Sequence, residues 1–223
     1  MPLLGQAAVA MWWDMAQAQR GEFEDWHSHE HFPERMSIPG FRRGTRWASI
    51  DNDAISHGGF FVLYELEAFE ILTSATYRQR LDNPTPWSTK MMPHHRNMMR
   101  SQSRVLESAG SGVAGFAATL RLSPKAGRDD ALRQHLRETL RHITTLPGLV
   151  GGHLLRTETP ATAPTREQKI RGGDAAADWI VLVMASDEAA LRATVHGLNL
   201  PDTAPGTVAS LFRLAHSITP ADL

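Results

Sequence analysis

Ile38-Pro39-Gly40-Phe41 returns 108 residues later as Leu146-Pro147-Gly148-Leu149. A turn reused at a fixed offset invites the same offset elsewhere in the chain. Applied to Ala8–Met15, it lands on Phe116–Ser123, a second strand-like run reading Phe-Ala-Ala-Thr-Leu-Arg-Leu-Ser. A helical stretch precedes each Pro-Gly and a strand-like stretch follows it. Pro presets φ and Gly admits positive φ, so each pair reads as a turn.

Working outward, the first copy reads strand Ala8–Met15, helix Glu22–Glu30, strand Arg42–Ile50, Gly58-Gly59 as punctuation, strand Phe60–Leu66, helix Phe69–Leu81 and strand Met98–Glu107. The second reads strand Val113–Leu122, helix Arg128–Ile143, strands Val150–Thr157 and Trp179–Ala185, helix Asp187–Val195 and strand Val208–His216. Both orders are βαββαβ. Phe60–Leu66 and Trp179–Ala185 are near-continuous apolar runs, the pattern of strands buried on both faces. Helices cover one face, and the other copy's sheet is the natural cover for the second. The predicted fold is therefore α+β: two tandem ferredoxin-like repeats, 1–108 and 112–223, whose antiparallel sheets pack into one α/β-barrel pseudo-dimer. The alternative is two independent domains joined at Ser108–Gly112. Glu158–Ala177, rich in Thr, Pro, Ala, Gly and charge, reads as an insertion forming a mobile surface loop.

Of the 223 residues 42% are hydrophobic and 21% charged, with a net charge of −1, a globular composition that offers no basic surface for nucleic acid or anionic membranes. No cysteine is present, which excludes disulfides, thiolate metal sites and cysteine nucleophiles. Ala7–Trp13 is apolar, but no Lys or Arg precedes it and Asp14 interrupts it, so it is not read as a signal peptide. The expectation is a cytoplasmic protein with no membrane or nucleic-acid partner. Exposed sheet edges leave a homodimer open.

The chemistry concentrates in Phe23-Glu24-Asp25-Trp26-His27-Ser28-His29-Glu30-His31-Phe32-Pro33-Glu34-Arg35. At helical spacing Phe23, Trp26, His27, Glu30 and Glu34 share one face, with Arg35 to the side. A polar group on a core-facing stripe needs a partner or a wet cavity. His27 is thus a candidate pocket base and Glu30 the carboxylate that fixes its tautomer. The competing reading is a satisfied polar pair holding the helix to its sheet. Pro33 lacks an N–H and crowds the preceding turn, so the helix is expected to kink or restart there. His27–His31 also spells H-x-x-E-H, the inverted zinc-protease pattern, but the surrounding repeats describe no protease, and no metal site is assigned. Other candidate pocket residues are Trp13, Trp26, His31, Arg46, Tyr77 and Trp87. Trp12 and Trp13 should face opposite sides of their strand. Trp87 lies in a Pro-rich stretch, Asn83–Arg96, readable as a lid or as a stiff connector. The 108-residue offset carries His27 and Glu30 to His135 and Glu138, but Glu138 lies opposite the stripe Leu132, Leu136, Leu140 and Ile143. The second copy of the site is read as degenerate.

A first strand, then Trp26-His27-x-x-Glu30-His31-x-Pro33-Glu34-Arg35, then Ile38-Pro39-Gly40-Phe41 and an Arg-rich strand, resembles the EthD-like branch of the dimeric α/β-barrel superfamily over roughly residues 8–107. The residues themselves suggest a cofactor-independent enzyme or binder of a small, partly aromatic, oxygenated molecule, with His27 as general base. The resemblance implies a pocket between sheet and helices and a part in the catabolism or tailoring of oxygenated organic compounds. It implies no single reaction. Two alternatives stay open: a non-catalytic binding or structural module, and a haem protein of the chlorite dismutase or dye-decolourising type, for which His153, His196 or His216 could be the axial ligand.

Overall fold

A computed structural model describes residues 2–50, 59–158, 160, 163–172 and 174–223. Gly58 of the predicted Gly-Gly pair and parts of 158–177 lie outside these residues. The strands are β1 (Ala7–Asp14), β2 (Phe41–Ser49), β3 (Phe60–Leu66), β4 (Arg96–Gly110), β5 (Phe116–Leu122), β6 (Leu149–Thr157), β7 (Trp179–Ala185) and β8 (Val208–Ile218). The helices are α1 (Gln17–Trp26), α2 (Phe32–Met36), α3 (Ala75–Asp82), α4 (Pro86–Met91), α5 (Asp129–Ile143), α6 (Arg166–Arg171) and α7 (Glu188–Gly197).

The eight strands close into one antiparallel barrel in the order β1-β3-β2-β8-β5-β7-β6-β4. Within it β4-β1-β3-β2 and β8-β5-β7-β6 are the same ferredoxin-like order twice. They are joined edge to edge where β2 meets β8 and β4 meets β6. The sheet edges expected to invite a second chain are therefore paired within this one. Gly40 and Gly148 both adopt positive φ, 91° and 78°. A Cβ on Gly40 would lie 2.5 Å from Ile71, and one on Gly148 2.9 Å from Asp187. The repeated Pro-Gly thus does the same work in each half: it turns tightly beneath the element that follows the third strand.

Side chains alternate between the lumen and the helical layer. Trp12, Phe61, Leu63, Leu182 and Phe212 fill the lumen, while Trp13, Phe60, Val62 and Tyr64 meet the helices. Trp12 and Trp13 do face opposite ways, and β3 and β7 are buried along their whole length. One lumen end is plugged by the N-terminal segment. Leu3 is buried there, the Leu4 N–H donates to Glu65 at 2.7 Å, and Arg43 grips the same carboxylate at 2.7 and 2.9 Å. Over the second half, α5 buries Leu132, Leu136, Leu140 and Ile143 and leaves Glu138 exposed.

Three local readings need correction. The predicted helix Phe69–Leu81 is a 3-10 turn, Phe69–Thr73, followed by α3, because the Ser74 hydroxyl accepts from Tyr77 N and starts a new helix. Asn83–Arg96 contains α4, started by Pro86 and capped by Thr85. The stretch read as a mobile loop contains α6, with a Thr165/Gln168 capping box. That helix is fastened to the first half: the Arg166 N–H donates to Asp82 at 3.0 Å, and Met99 bridges to Ala175.

Candidate functional site

The site sits between the outer face of the first half-barrel and its helices. Phe23 and Trp26 anchor α1, each 1% exposed or less, and truncating either would cost about 3–5 kcal/mol. The helix then widens. His27–His31 is a π-helical turn in which Phe32 N–H donates to the His27 carbonyl. Pro33 explains it: a regular turn would press its ring against the His29 carbonyl, and one extra residue relieves the clash. The helix restarts as α2, as expected.

That extra residue moves the buried stripe forward by one. Beyond His27 the inward positions are His31 and Arg35, at 7% and 3% exposure, rather than Glu30 and Glu34. Glu30 does not orient His27. Its carboxylate accepts from Trp26 Nε1 at 3.1 Å and from Thr85 Oγ1, and lies 3.5 Å from Ser88 Oγ, tying α1 to α4. The His27 imidazole makes no hydrogen bond among the described residues, and its Nδ1 is buried without a partner. Rings surround it: Phe32 at 4.1 Å, Phe23 at 5.2 Å, His31 at 5.3 Å, Trp26 at 5.8 Å and Trp13 at 6.3 Å between centroids.

His95 completes the cluster. It enters from the turn after α4, 4.8 Å from Trp13, with Nδ1 3.0 Å from the Met92 carbonyl. That bond makes Nδ1 the protonated nitrogen and leaves Nε2 an acceptor. Burial lowers the pKa of all three histidines, His95 to about 3. Arg46, Arg35 and Arg171 add repulsion at His27, His31 and His95 respectively. All three are therefore neutral at pH 7.

Two small voids open here. The first, about 20 Å³, is lined by Trp13, Trp26, His27, His31, Tyr64 and His95, with Met11, Met92 and Arg171. The second, also about 20 Å³, shares His31, Tyr64 and Arg171 and continues past Arg35, Tyr77, Arg100 and Glu167. Each has room for about one water. The second shares Tyr77, Leu81 and Arg100 with a surface groove of about 220 Å³ that reaches Thr165 and Gln168. Arg100 donates to the Tyr77 hydroxyl at 2.8 Å at the junction. The two voids and the groove, separated by shared walls, therefore line up between the surface and the imidazoles.

Of the expected pocket residues, Trp13, Trp26, His27 and His31 line the first void and Tyr77 the second. Arg46 and Trp87 line neither. Arg46 donates to the Glu24 carbonyl at 3.1 Å and lies over Phe23, behind His27. Trp87 donates to Glu22 at 3.2 Å on the outside of α1 and α4. Arg35, Tyr64, His95 and Arg171 were not foreseen. Among the described residues no cluster of three or more His, Asp or Glu is arranged to hold a metal ion. Of the candidate haem ligands, His153 is buried in the lumen with Nδ1 2.9 Å from Ser108 Oγ, His196 is exposed, and His216 packs 5.4 Å from Phe32. None of the three lines these cavities. No described helix is long and apolar enough to cross a membrane.

No family model matches the chain, and no curated protein does. Solved structures do. An anthrone oxidase-like protein matches with a TM-score of 0.64 at 10% identity, over 96% of this chain and 93% of its own. A candidate monooxygenase from Fusobacterium nucleatum matches with 0.62 at 7% identity, over 97% and 96%. One from Lactobacillus acidophilus matches with 0.61 at 7% identity, over 96% and 97%. Likeness at such low identity speaks for the architecture alone: this chain has an α+β ferredoxin-like fold closed into one eight-stranded antiparallel barrel.

Proposed function

We propose that the protein is a cofactor-independent enzyme acting on an oxygenated aromatic compound, with His27 as general base. The observation that carries this is a neutral imidazole without hydrogen-bond partners in an aromatic-walled void. At pH 7 it is free to take a proton. Among the described residues no carboxylate stands beside it to hold an imidazolium, so the proton transfers only if the substrate anion stays in place. Arg171, on the same void, is the cation that favours such an anion. His95, its tautomer set by Met92, accepts from a substrate hydroxyl through Nε2. The reading as an EthD-like protein rests on Trp26–Arg35, and that of a fused tandem, 1–108 with 112–223, on the doubled strand order.

An anthrone is the natural probe, since one architectural neighbour is anthrone oxidase-like. Base removal of a methylene proton gives an anion that can itself reduce O2. One oxygen atom becomes the new ketone and the other leaves as water. With 1,8-dihydroxyanthrone, oxygen uptake above the buffer blank should match quinone formed one to one. His27→Gln, kept folded by its similar volume, should lower kcat by about 100-fold or more. A variant retaining over a tenth of the rate would remove His27 from the chemistry. Wild-type protein that quenches its tryptophan fluorescence with the anthrone but consumes no oxygen would favour a non-catalytic binding module. The one-water size of the resting void is the observation on that side, since catalysis requires the gap between α3 and α6 to open.

A further inference from the structure

Among the described residues, the end of the barrel lumen away from the N-terminal segment holds a second cavity, of about 210 Å³, separate in its polar groups from the histidine site. It is walled by Trp12, Trp13, Phe60, Met99 and Phe212, with Arg121, Asp14, Asn97 and Ser210 at its polar side. Both half-barrels contribute, β1, β3 and β4 from one, β5 and β8 from the other.

Arg121 is the unexplained group. It points inward from β5 onto an aromatic floor, with its guanidinium 5.3 Å from the Trp12 ring and Trp12 stacked on Phe61 at 5.1 Å. Among the described residues its guanidinium bonds only from Nη1 to the Met99 thioether sulfur, a weak acceptor, and its Nε is buried without a partner. Asp14, the nearby acid, accepts from Asn97 Nδ2 at 2.7 Å and makes no ion pair with Arg121. A half-buried guanidinium left with a thioether lacks the anion its fork is shaped to hold.

We propose that this mouth binds a small planar monocarboxylate carrying one aromatic ring. The carboxylate would take the free edge of Arg121, and the ring would lie among Trp12, Phe60 and Phe212. The volume suits it, because an engineered cavity of about 150 Å³ holds benzene. Asp14 at the rim disfavours a second negative charge, so a dicarboxylate should bind less well.

The test is calorimetric titration of the full chain with benzoate, benzyl alcohol and phthalate. Benzoate should bind one to one, with benzyl alcohol and phthalate at least ten-fold weaker. Arg121→Gln should weaken benzoate at least ten-fold. Ser210→Trp, which fills the pocket but keeps the cation, should abolish binding, and His27→Gln should leave it unchanged. Absence of benzoate binding, equal binding by Arg121→Gln or Ser210→Trp, or loss confined to His27→Gln would overturn the proposal. The last result would place the ligand at the histidine void instead.

Discussion

Acidification from pH 7 to about 5 is expected to unfold this protein. His27, His31, His95 and His153 are all at most 9% exposed. Burial is the main force lowering each pKa, to about 3 for His95 and His153. Arg46, Arg35, Arg171 and Arg43 respectively push the same way. In the unfolded chain these imidazoles take protons at about pH 6.5. In the folded chain they stay neutral well below that. Between the two values the unfolded state binds more protons, so stability falls as the pH falls. Well below pH 6.5 each histidine costs about 1.4 kcal/mol per pH unit, and four together cost roughly 5.5 kcal/mol per unit. Ordinary domains hold only about 5–15 kcal/mol in total. Glu34 and Glu65 act in the opposite sense. Burial raises both their pKa values, so the folded state takes their protons first and recovers part of the loss. Urea unfolding at pH 7.5, 6.5 and 5.5 checks the slope, and His95→Gln should flatten it by about 1 kcal/mol between pH 6.5 and 5.5. A flat profile would mean that these imidazoles are wet.

The same burial separates what the sequence discloses from what it hides. The barrel is legible because Phe60–Leu66 and Trp179–Ala185 have no polar face, and because one Pro-Gly turn recurs with its glycine pressed on the same kind of neighbour. Trp13, Trp26, His27 and His31 are legible at helical spacing up to the π turn. Beyond it a period of 3.6 points to Glu30 and Glu34, while the chain turns in His31 and Arg35. Pro33 was the available signal, but a proline announces a break without saying that the break adds a residue. His95 was visible only as one of a pair after Met91-Met92, an apolar lead-in that marks an inward turn. The lid over the site could not be read locally at all: Arg35 and Glu167 are 132 positions apart. Nothing in the charged, Pro-rich composition of 158–177 distinguishes a strap bound to the other half from a free loop.

Replacing Glu167 with Ala is expected to cost about 3 kcal/mol. Arg35 and Glu167 are 3% and 2% exposed and hydrogen-bonded to each other. Burial opposes the Arg35 cation, but Glu167 and Glu34 more than offset it and raise its pKa. Removing Glu167 therefore strands a guanidinium that cannot shed its proton. Glu34 stays 3.8 Å away and keeps the loss at the low end of the range for broken buried pairs, about 3–5 kcal/mol. Arg171 suffers less, since it loses a carboxylate at 3.6 Å but keeps Asp174 at 3.0 Å. The double variant Arg35→Met/Glu167→Leu removes both charges and should return to within about 1 kcal/mol of the parent in urea unfolding. Equal destabilisation by the single and double variants would place the cost in packing rather than in a stranded charge. The pair also fastens α6 above the histidines, so the single variant should expose their void. In Glu167→Ala the amide of His95 should exchange with deuterium faster than in the parent, whereas that of His153, across the barrel wall, should not. Unchanged exchange at His95 would mean that the Asp82 and Met99 contacts hold α6 in place without the ion pair.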